Sequence, residues 1–418
     1  MINLLILLAG LFIYAGYGIW GLVWLLAATG TSYLLGLLIP KHKWLMYLGV
    51  AAQGIILVLL KLQPVTGMSL LAPVGVSYFS LHIISYLVDV YRGKIQPERN
   101  ILRFTLYISY FQHLAIGPIQ SYSNMSLAIS QRKITWDGIS QGFARVLWGL
   151  FKKMVIASRA GIIVAAIAAD PAQYQGGYAL LAMVLYSLQL YTDFSGGIDL
   201  VLGVSQMLGL RLSENFDRPY FSESVQEFWR RWHITLGTWL KNYVYIPLGG
   251  NRKGTLRKGI NFIITFLVSG LWHGIHYLLW GLLNGIFVLV GKRLQTPIKA
   301  LNRIGTFLVI SFLWSFFVWT DTFTAVQSAV SVFTQLNYAD VVANLGNLGL
   351  TLTDWIVMLS AGGILWIYDW KHLAACNGFA KAQPATRLAF IGLLGLMVLL
   401  FGVYGIGFEA AGFIYGAF

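Results

Sequence analysis

Long apolar segments separated by short polar stretches run along the whole chain. A helix needs about 20 mainly apolar residues to cross the hydrocarbon core of a bilayer. Some of these segments exceed that length and others fall short of it, so the pattern predicts re-entrant or horizontal helices besides simple spans. The segments are 4–39, 44–60, 70–90, 104–119, 142–168, 178–210, 260–290, 307–319, 355–367 and 388–408.

Composition narrows the fold class further. Of the 418 residues, 57% are hydrophobic and 11% are charged, whereas charged residues make up about 25% of soluble domains. This balance excludes a soluble globular protein and also a disordered chain, which needs low hydrophobicity. Dividing the apolar residues by about 20 per span, and allowing for connecting loops, predicts roughly 9–11 transmembrane helices. We therefore expect an all-α polytopic protein of the lipid bilayer, with one integral membrane domain over residues 1–418.

The formal net charge of +14 is explained by the excess of Lys and Arg in cytoplasmic loops. Lys41 and Lys43 lie in one loop, and Arg92 and Lys94 lie two passes later, so both loops face the same side. We assign that side to the cytoplasm of a multi-pass cell-membrane protein, and nucleic-acid binding is not expected. Cys376 is the single cysteine, which excludes an intramolecular disulfide and a cysteine-based zinc site. No metal site is expected.

His273 is the clearest candidate for chemistry. It lies in a stretch that carries no Asp, Glu, Lys or Arg between Lys258 and Lys292. Ionisable residues within apolar segments are rare and mark functional sites. A neutral imidazole there could accept a proton from a hydroxyl and return it. A core histidine bonded to a backbone carbonyl fits the same pattern, and the residues alone leave both interpretations open.

The region 211–258 is basic and aromatic, with nine basic and four acidic side chains and thus a net charge of +5. Trp229, His233 and Leu236 fall on one helical face. One interpretation is an amphipathic helix at the level of the lipid headgroups. The other is a basic vestibule for an anionic donor, such as a nucleotide-bearing thioester. Its candidate residues are Arg230, Arg231, Trp232, Lys241 and Asn242.

A third group of polar residues lies within the apolar segment 178–210. Tyr191, Asp193, Ser195 and Asp199 follow one another there. Buried carboxylates usually pair with a partner or orient a histidine. Since polar groups at membrane depth face protein or water, we expect Asp193 and Ser195 to line a tunnel together with Trp272 and His273.

Several motifs, taken together and in order, resemble the membrane-bound O-acyltransferase (MBOAT) superfamily. The likeness is strongest to the bacterial branch that contains the alginate O-acetylation protein AlgI, and weaker to the D-alanylation protein DltB. Each string alone is weak, but the set covers nearly the whole chain. The strings are 75–79 (GVSYF), 117–119 (GPI), 191–196 (YTDFSG), 215–220 (NFDRPY), 228–233 (FWRRWH), 245–252 (YIPLGGNR) and 271–274 (LWHG).

The resemblance implies both an activity and its residues. Members of the family transfer an acyl group from a thioester donor to a hydroxyl or an amine, within a ring of helices around a central tunnel. The family's catalytic histidine corresponds to His273, and its second histidine corresponds to His233. The resemblance also implies acetyl-CoA as a co-substrate, without a bound cofactor. In the bacterial branch the acyl group passes to an extracytoplasmic partner, expected to be SGNH-hydrolase-like, and then to a cell-surface polysaccharide.

Three alternatives remain besides O-acetyl transfer. One is D-alanyl transfer to teichoic acid, as in the DltB-like branch. A second is a secondary transporter, although the sequence shows no matching halves of the kind that transporters contain. The third is a noncatalytic scaffold of a surface-polymer export complex, which would not require a histidine in an apolar centre.

Overall fold

The computed structural model describes residues 2–67, 72–110, 116–319, 321–371 and 383–404, and these form helices and no strand. Cys376 lies outside the described residues. In the first half of the chain, the α-helices are α1 (Ile2–Gly16), α2 (Ile19–Leu38), α3 (Trp44–Thr66), α4 (Val76–Tyr91), α5 (Ile101–Ser109), α6 (Tyr122–Ser130), α7 (Trp136–Leu150), α8 (Ser158–Ala169) and α9 (Gly177–Met207).

The second half is also helical, with more short elements. Its α-helices are α10 (Val225–Arg231), α11 (Ile234–Leu240), α12 (Gly254–His273), α13 (Leu278–Val290), α14 (Lys299–Leu313), α15 (Ser315–Val318), α16 (Thr322–Thr334), α17 (Tyr338–Ala343), α18 (Leu352–Trp370) and α19 (Pro384–Phe401). Two π-helical turns, Phe151–Ala157 and Lys241–Tyr245, continue α7 and α11.

The apolar helices fit a membrane protein, as the sequence predicts. In the described part of the chain, three stretches are long and apolar enough to cross a bilayer: Ile19–Leu38, Trp44–Gln63 and Lys299–Val318. Shorter apolar helices accompany them at Ile2–Gly16, Ile275–Val290 and Ala385–Phe401. The all-α fold class is confirmed, whereas the number of spans remains a prediction.

The longest helix, α9, runs through the centre of the molecule and crosses α7 at very close range. The contact is made by glycines spaced seven residues apart on each helix. A Cβ atom added to Gly149 would lie 2.6 Å from the carbonyl oxygen of Gly196, and one added to Gly142 would lie 2.4 Å from that of Gly203. Small residues of this kind let helix backbones approach each other in a membrane.

Helices α12 and α13 form an antiparallel hairpin, and glycines again allow the two backbones to approach closely. A Cβ atom added to Gly270 would lie 2.5 Å from the carbonyl oxygen of Tyr277, and one added to Gly281 would lie 2.4 Å from that of Phe266. The turn between the helices therefore has little freedom. Because the hairpin returns on itself, its tip at His273 lies far from its two open ends.

Candidate active site

His273 is the last residue of α12 and lies at the tip of the hairpin. Gly274 follows with a backbone φ of 149°, which side-chain-bearing residues rarely adopt, so the helix ends at the histidine. The His273 side chain is buried. Aromatic rings surround the imidazole at centroid distances of 4.8 to 6.2 Å: Trp272, Tyr277, Trp280 and Phe317.

His233 is held in a backbone conformation that is unusual for its residue type. It lies between α10 and α11 with φ 45° and ψ 52°, in the left-handed region. Such a conformation costs on the order of 1–3 kcal/mol in a non-glycine residue and persists where the surroundings impose it, often at functional sites. The turn is fixed by backbone bonds, since Ile234 donates to the Asn215 carbonyl at 3.0 Å and Asp217 donates to the Arg231 carbonyl at 2.9 Å.

A cavity of about 380 Å³ brings the two histidines together, and both line it. Helices α10, α11, α12 and α13 and the π-helical turn Lys241–Tyr245 contribute to its wall. The α12 residues that line the cavity recur every three or four positions, so they lie on one face of the helix. They are Lys258, Phe262, Thr265, Phe266, Ser269 and His273. Fifteen residues separate Lys258 from His273, which at 1.5 Å per residue corresponds to about 22 Å. The cavity is therefore long and lies along α12.

The two ends of this cavity differ in charge and burial. Arg230, Lys241 and Lys258 line it and are exposed, whereas His233 and His273 are 3% and 5% exposed. The positive end is therefore the mouth, and the imidazoles lie deep inside. Lys241 begins the π-helical turn Lys241–Tyr245, a distortion that is frequent at functional sites.

The mouth lies beside the loop that follows α4. The Arg92 guanidinium donates to the Asn242 carbonyl at 3.2 Å, and the Tyr243 hydroxyl donates to the Asp89 carboxylate at 2.8 Å. Arg92 belongs to the loops that the charge pattern assigns to the cytoplasm. The basic mouth and those loops are thus on the same side of the molecule.

The structure brings some of the predicted donor residues to the cavity and leaves others beside it. Arg230, Trp232 and Lys241 line the wall. Arg231 pairs instead with Glu227 at 2.6 Å. Asn242 meets Arg92 through its backbone, as described above. Neither Arg231 nor Asn242 is among the described residues that line this cavity.

Trp272, Asp193 and Ser195 also lie outside the cavity wall among the described residues. The Trp272 ring packs against both imidazoles, with centroid distances of 6.5 Å to His233 and 4.8 Å to His273. Asp193 pairs with Lys153 at 2.6 Å, and Ser195 accepts a hydrogen bond from Lys152 at 2.8 Å. The structure therefore does not bring Asp193 and Ser195 into the cavity with His273, because they face the lysines of the π-helical turn that continues α7.

Other residues at the site were not singled out by sequence reasoning. Ser269 lies on the cavity face of α12, and stepping back four residues from His273 would have found it, whereas Lys258 on the same face belongs to the basic region 211–258 that the sequence analysis described. Asn284 accepts from the indole N–H of Trp229 at 3.0 Å and donates to the Trp280 carbonyl at 2.9 Å. It thereby fixes the wall, although its sequence context gives no signal of this.

The arrangement suits proton transfer next to an anionic ligand. Two buried imidazoles can move a proton at a reacting hydroxyl, and the cations at the mouth can bind phosphate groups. In the described part of the chain, no group of three or more His, Cys, Asp and Glu side chains could hold a metal ion.

Comparison with known proteins agrees with the motifs. The model of the membrane-bound O-acyltransferase family (MBOAT) matches residues 93–335, which include both histidines. A probable alginate O-acetylase AlgI of Pseudomonas fluorescens is 37% identical over 334 residues, covering 75% of this chain and 67% of the relative. A peptidoglycan O-acetyltransferase of Helicobacter pylori is 34% identical over 286 residues, covering 59% and 54%. A teichoic acid D-alanyltransferase of Streptococcus thermophilus is 27% identical over 306 residues, covering 69% and 72%.

Proposed function

This chain belongs to the membrane-bound O-acyltransferase family, and we propose that it transfers an acetyl group from acetyl-CoA to a hydroxyl of a cell-surface polymer. The choice of acetyl follows the relatives, since those named for alginate and peptidoglycan are O-acetylating proteins. The reaction would take place in a multi-pass protein of the plasma membrane. An extracytoplasmic partner, SGNH-hydrolase-like, would receive the acetyl group and pass it to the polymer.

The observation that carries this proposal is the polarity of the cavity. Exposed cations line its mouth and buried histidines line its interior, and Lys258 and His273 lie at the two ends of one face of α12. Coenzyme A has the matching polarity, with phosphates at one end and the thioester at the tip of a long flexible arm. Phosphates at the mouth would be bound by Arg230, Lys241 and Lys258. The thioester would then reach the imidazoles.

The contact between Arg92 and the cavity mouth indicates which side of the membrane the mouth faces. The mouth lies beside Arg92, on the side that the positive-inside bias assigns to the cytoplasm, where acetyl-CoA is made. His273 is at the opposite end of the cavity. An acceptor hydroxyl approaching from the extracytoplasmic side would therefore meet the thioester near His273.

The chemistry proceeds by attack of that hydroxyl on the thioester. His273 accepts the hydroxyl proton as the oxygen forms a bond to the carbonyl carbon. The resulting oxyanion collapses, the carbon–sulfur bond breaks, and the proton on His273 passes to the thiolate. The products are an ester and free coenzyme A. The Ser269 hydroxyl, one turn before His273 on the cavity face, is our candidate donor to the oxyanion.

The test is acetyl transfer by purified protein in lipid vesicles with radiolabelled acetyl-CoA. His273→Ala should lower the transfer rate by about 10²- to 10⁴-fold, the usual contribution of a general base. His276→Ala is the matched control, because His276 is exposed and lies three residues away; it should keep the original rate. An unchanged rate in His273→Ala would overturn the proposal.

D-Alanyl transfer is the second candidate, favoured by the similarity to the teichoic acid D-alanyltransferase. It would use the same cavity and histidines with a different thioester. Supplying a D-alanyl thioester of a carrier protein in place of acetyl-CoA distinguishes the two. Consumption of the D-alanyl donor alone would replace acetyl transfer as the function while keeping the role of His273.

A further inference from the structure

The orientation of the His233 imidazole is set by a chain of hydrogen bonds from two backbone N–H groups. The Ile119 N–H donates to the Thr235 hydroxyl oxygen at 3.0 Å, and that hydroxyl donates to Asn215 Oδ1 at 2.9 Å. The Thr235 N–H also donates to Asn215 Oδ1, at 3.1 Å. Since a backbone N–H can only donate, the Asn215 atom that it meets must be the amide oxygen. The orientation of the Asn215 amide is thereby fixed.

The same oxygen faces His233. Asn215 Oδ1 lies 3.2 Å from His233 Nδ1, and an amide oxygen only accepts hydrogen bonds. Nδ1 must therefore carry the proton. In the neutral imidazole the other nitrogen, Nε2, then holds the lone pair. The bond pattern thus selects one of the two neutral tautomers.

The surroundings make this selection strong. Asn215 and His233 are 0% and 3% exposed, so water does not compete for these bonds. Asn215 directs its oxygen to three donors while its amide nitrogen is buried without a hydrogen-bond partner among the described residues. A flipped amide would set this nitrogen against the Thr235 N–H, donor against donor, and a buried donor without an acceptor costs about 1–3 kcal/mol.

We propose that Asn215 is a positioning residue which holds His233 in the Nδ1–H tautomer, so that Nε2 accepts a hydrogen bond or a proton from an N–H or O–H group of the substrate in the cavity. The left-handed backbone of His233 serves this placement, as do the backbone bonds of Ile234 to Asn215 and of Asp217 to Arg231. In this state neutral His233 is a hydrogen-bond acceptor and not a donor to the oxyanion. The assignment rests on the proposed function only for the identity of the substrate.

The resting tautomer is tested by nitrogen NMR of the full-length protein in micelles, with ¹⁵N-labelled histidine. The shifts of Nδ1 and Nε2 distinguish the two neutral forms, and His233→Gln identifies which signals belong to His233. We expect His233 in the Nδ1–H form. The Nε2–H form in the unmodified protein would overturn the inference, whatever the outcome of any transfer assay.

Three variants extend the test. Asn215→Leu removes the acceptor, so we expect a mixture of tautomers and a kcat for acetyl transfer lower by about 10- to 100-fold, less than the full general acid–base effect of about 10²- to 10⁴-fold because part of His233 keeps the active tautomer. The KM for acetyl-CoA should change by less than about threefold, because binding is not altered. Asn215→Asp keeps the accepting oxygen and should retain the Nδ1–H form and most of kcat.

Thr235→Val is the matched control, because it removes the hydroxyl bond to the Asn215 oxygen but keeps the Thr235 N–H bond that fixes the amide, and it does not touch His233. It should lower stability while keeping the tautomer. An Asn215→Leu protein with unchanged tautomer and kcat would contradict the positioning role. If Asn215→Leu does not fold, the unmodified protein and Asn215→Asp still test the positioning role. Loss of the Nδ1–H form in Asn215→Asp would also contradict that role.

Discussion

The ion pairs between α7 and α9 and the histidines of the cavity are both buried polar groups, and they differ in how their charges are balanced. Between α7 and α9, Asp199 lies 2.8 Å from Arg145 and 2.5 Å from Lys152, and Asp193 lies 2.6 Å from Lys153. In the cavity, by contrast, two imidazoles line the wall, and the cations that also line it are the exposed Arg230, Lys241 and Lys258.

This difference indicates that the ion pairs hold the helices together, whereas the histidines are available for chemistry. Burying a charge is costly unless it is paired, so the ions between α7 and α9 satisfy one another and join two helices. The histidines are placed at a cavity, where a substrate can reach them. A polar residue in an apolar segment therefore indicates function only when its surroundings leave it something to act on.

The largest expected effect is the loss of stability when the ion pairs between α7 and α9 are broken. Asp199→Leu would leave Arg145 and Lys152 without their shared carboxylate, and breaking a buried pair costs about 3–5 kcal/mol. We expect a large fall in thermal stability in detergent, with normal specific activity in the protein that remains folded. Glu214→Gln is the control, because Glu214 also pairs with Arg145 but its side chain is 59% exposed; it should cost less than about 1 kcal/mol.

An Asp199→Leu protein that kept its stability and lost acetyl transfer would reverse the comparison. The ion-pair cluster would then belong to the reaction, and Asp193 and Ser195 would return as candidates for the acceptor path.

The next effect concerns the glycine contact on which the same cluster depends. Gly149→Ala places a methyl group 2.6 Å from the Gly196 carbonyl oxygen, so α7 and α9 must separate. Overpacking of this kind costs about 1–3 kcal/mol. Gly54→Ala in α3, where nothing lies within 4 Å of the added atom, should not lower stability and can raise it by up to about 1 kcal/mol through helix propensity. Melting temperatures in one detergent compare the two, and equal values would show that the helices tolerate a wider spacing.

The sequence predicts the class of fold well and singles out the two histidines that line one cavity, for physical reasons. Long apolar segments in a chain with few charges can only be membrane helices, and a histidine in such a segment is conspicuous. Segment boundaries were less predictable. The apolar segment 4–39 is two helices, because the chain turns at Tyr17 and Gly18, and Gly18 has a φ of 133°.

The role of α9 could not be predicted because it depends on residues about 40 positions away. Asp193 and Ser195 look like tunnel residues until Lys152 and Lys153 are seen to face them. Those lysines were visible as interruptions of segment 142–168, but sequence alone does not show which helix they meet. The backbone conformation of His233 and its bond to Asn215 likewise need coordinates.

The smallest expected effect concerns the mouth of the cavity. Lys258 is exposed and lines the mouth, so its interaction with a phosphate is screened by salt and worth about 1 kcal/mol. Lys258→Ala should raise the KM for acetyl-CoA about fivefold and leave kcat unchanged, because His273 lies about 22 Å farther along α12. The neighbouring Arg257→Ala is the control, since Arg257 is exposed but is not among the described residues of the cavity wall. Steady-state kinetics at low and high salt measure both variants.

A fall in kcat with constant KM in Lys258→Ala would show that the donor phosphates bind elsewhere. The mouth would then not be the binding end of the cavity, and its contrast with a reacting interior would be wrong.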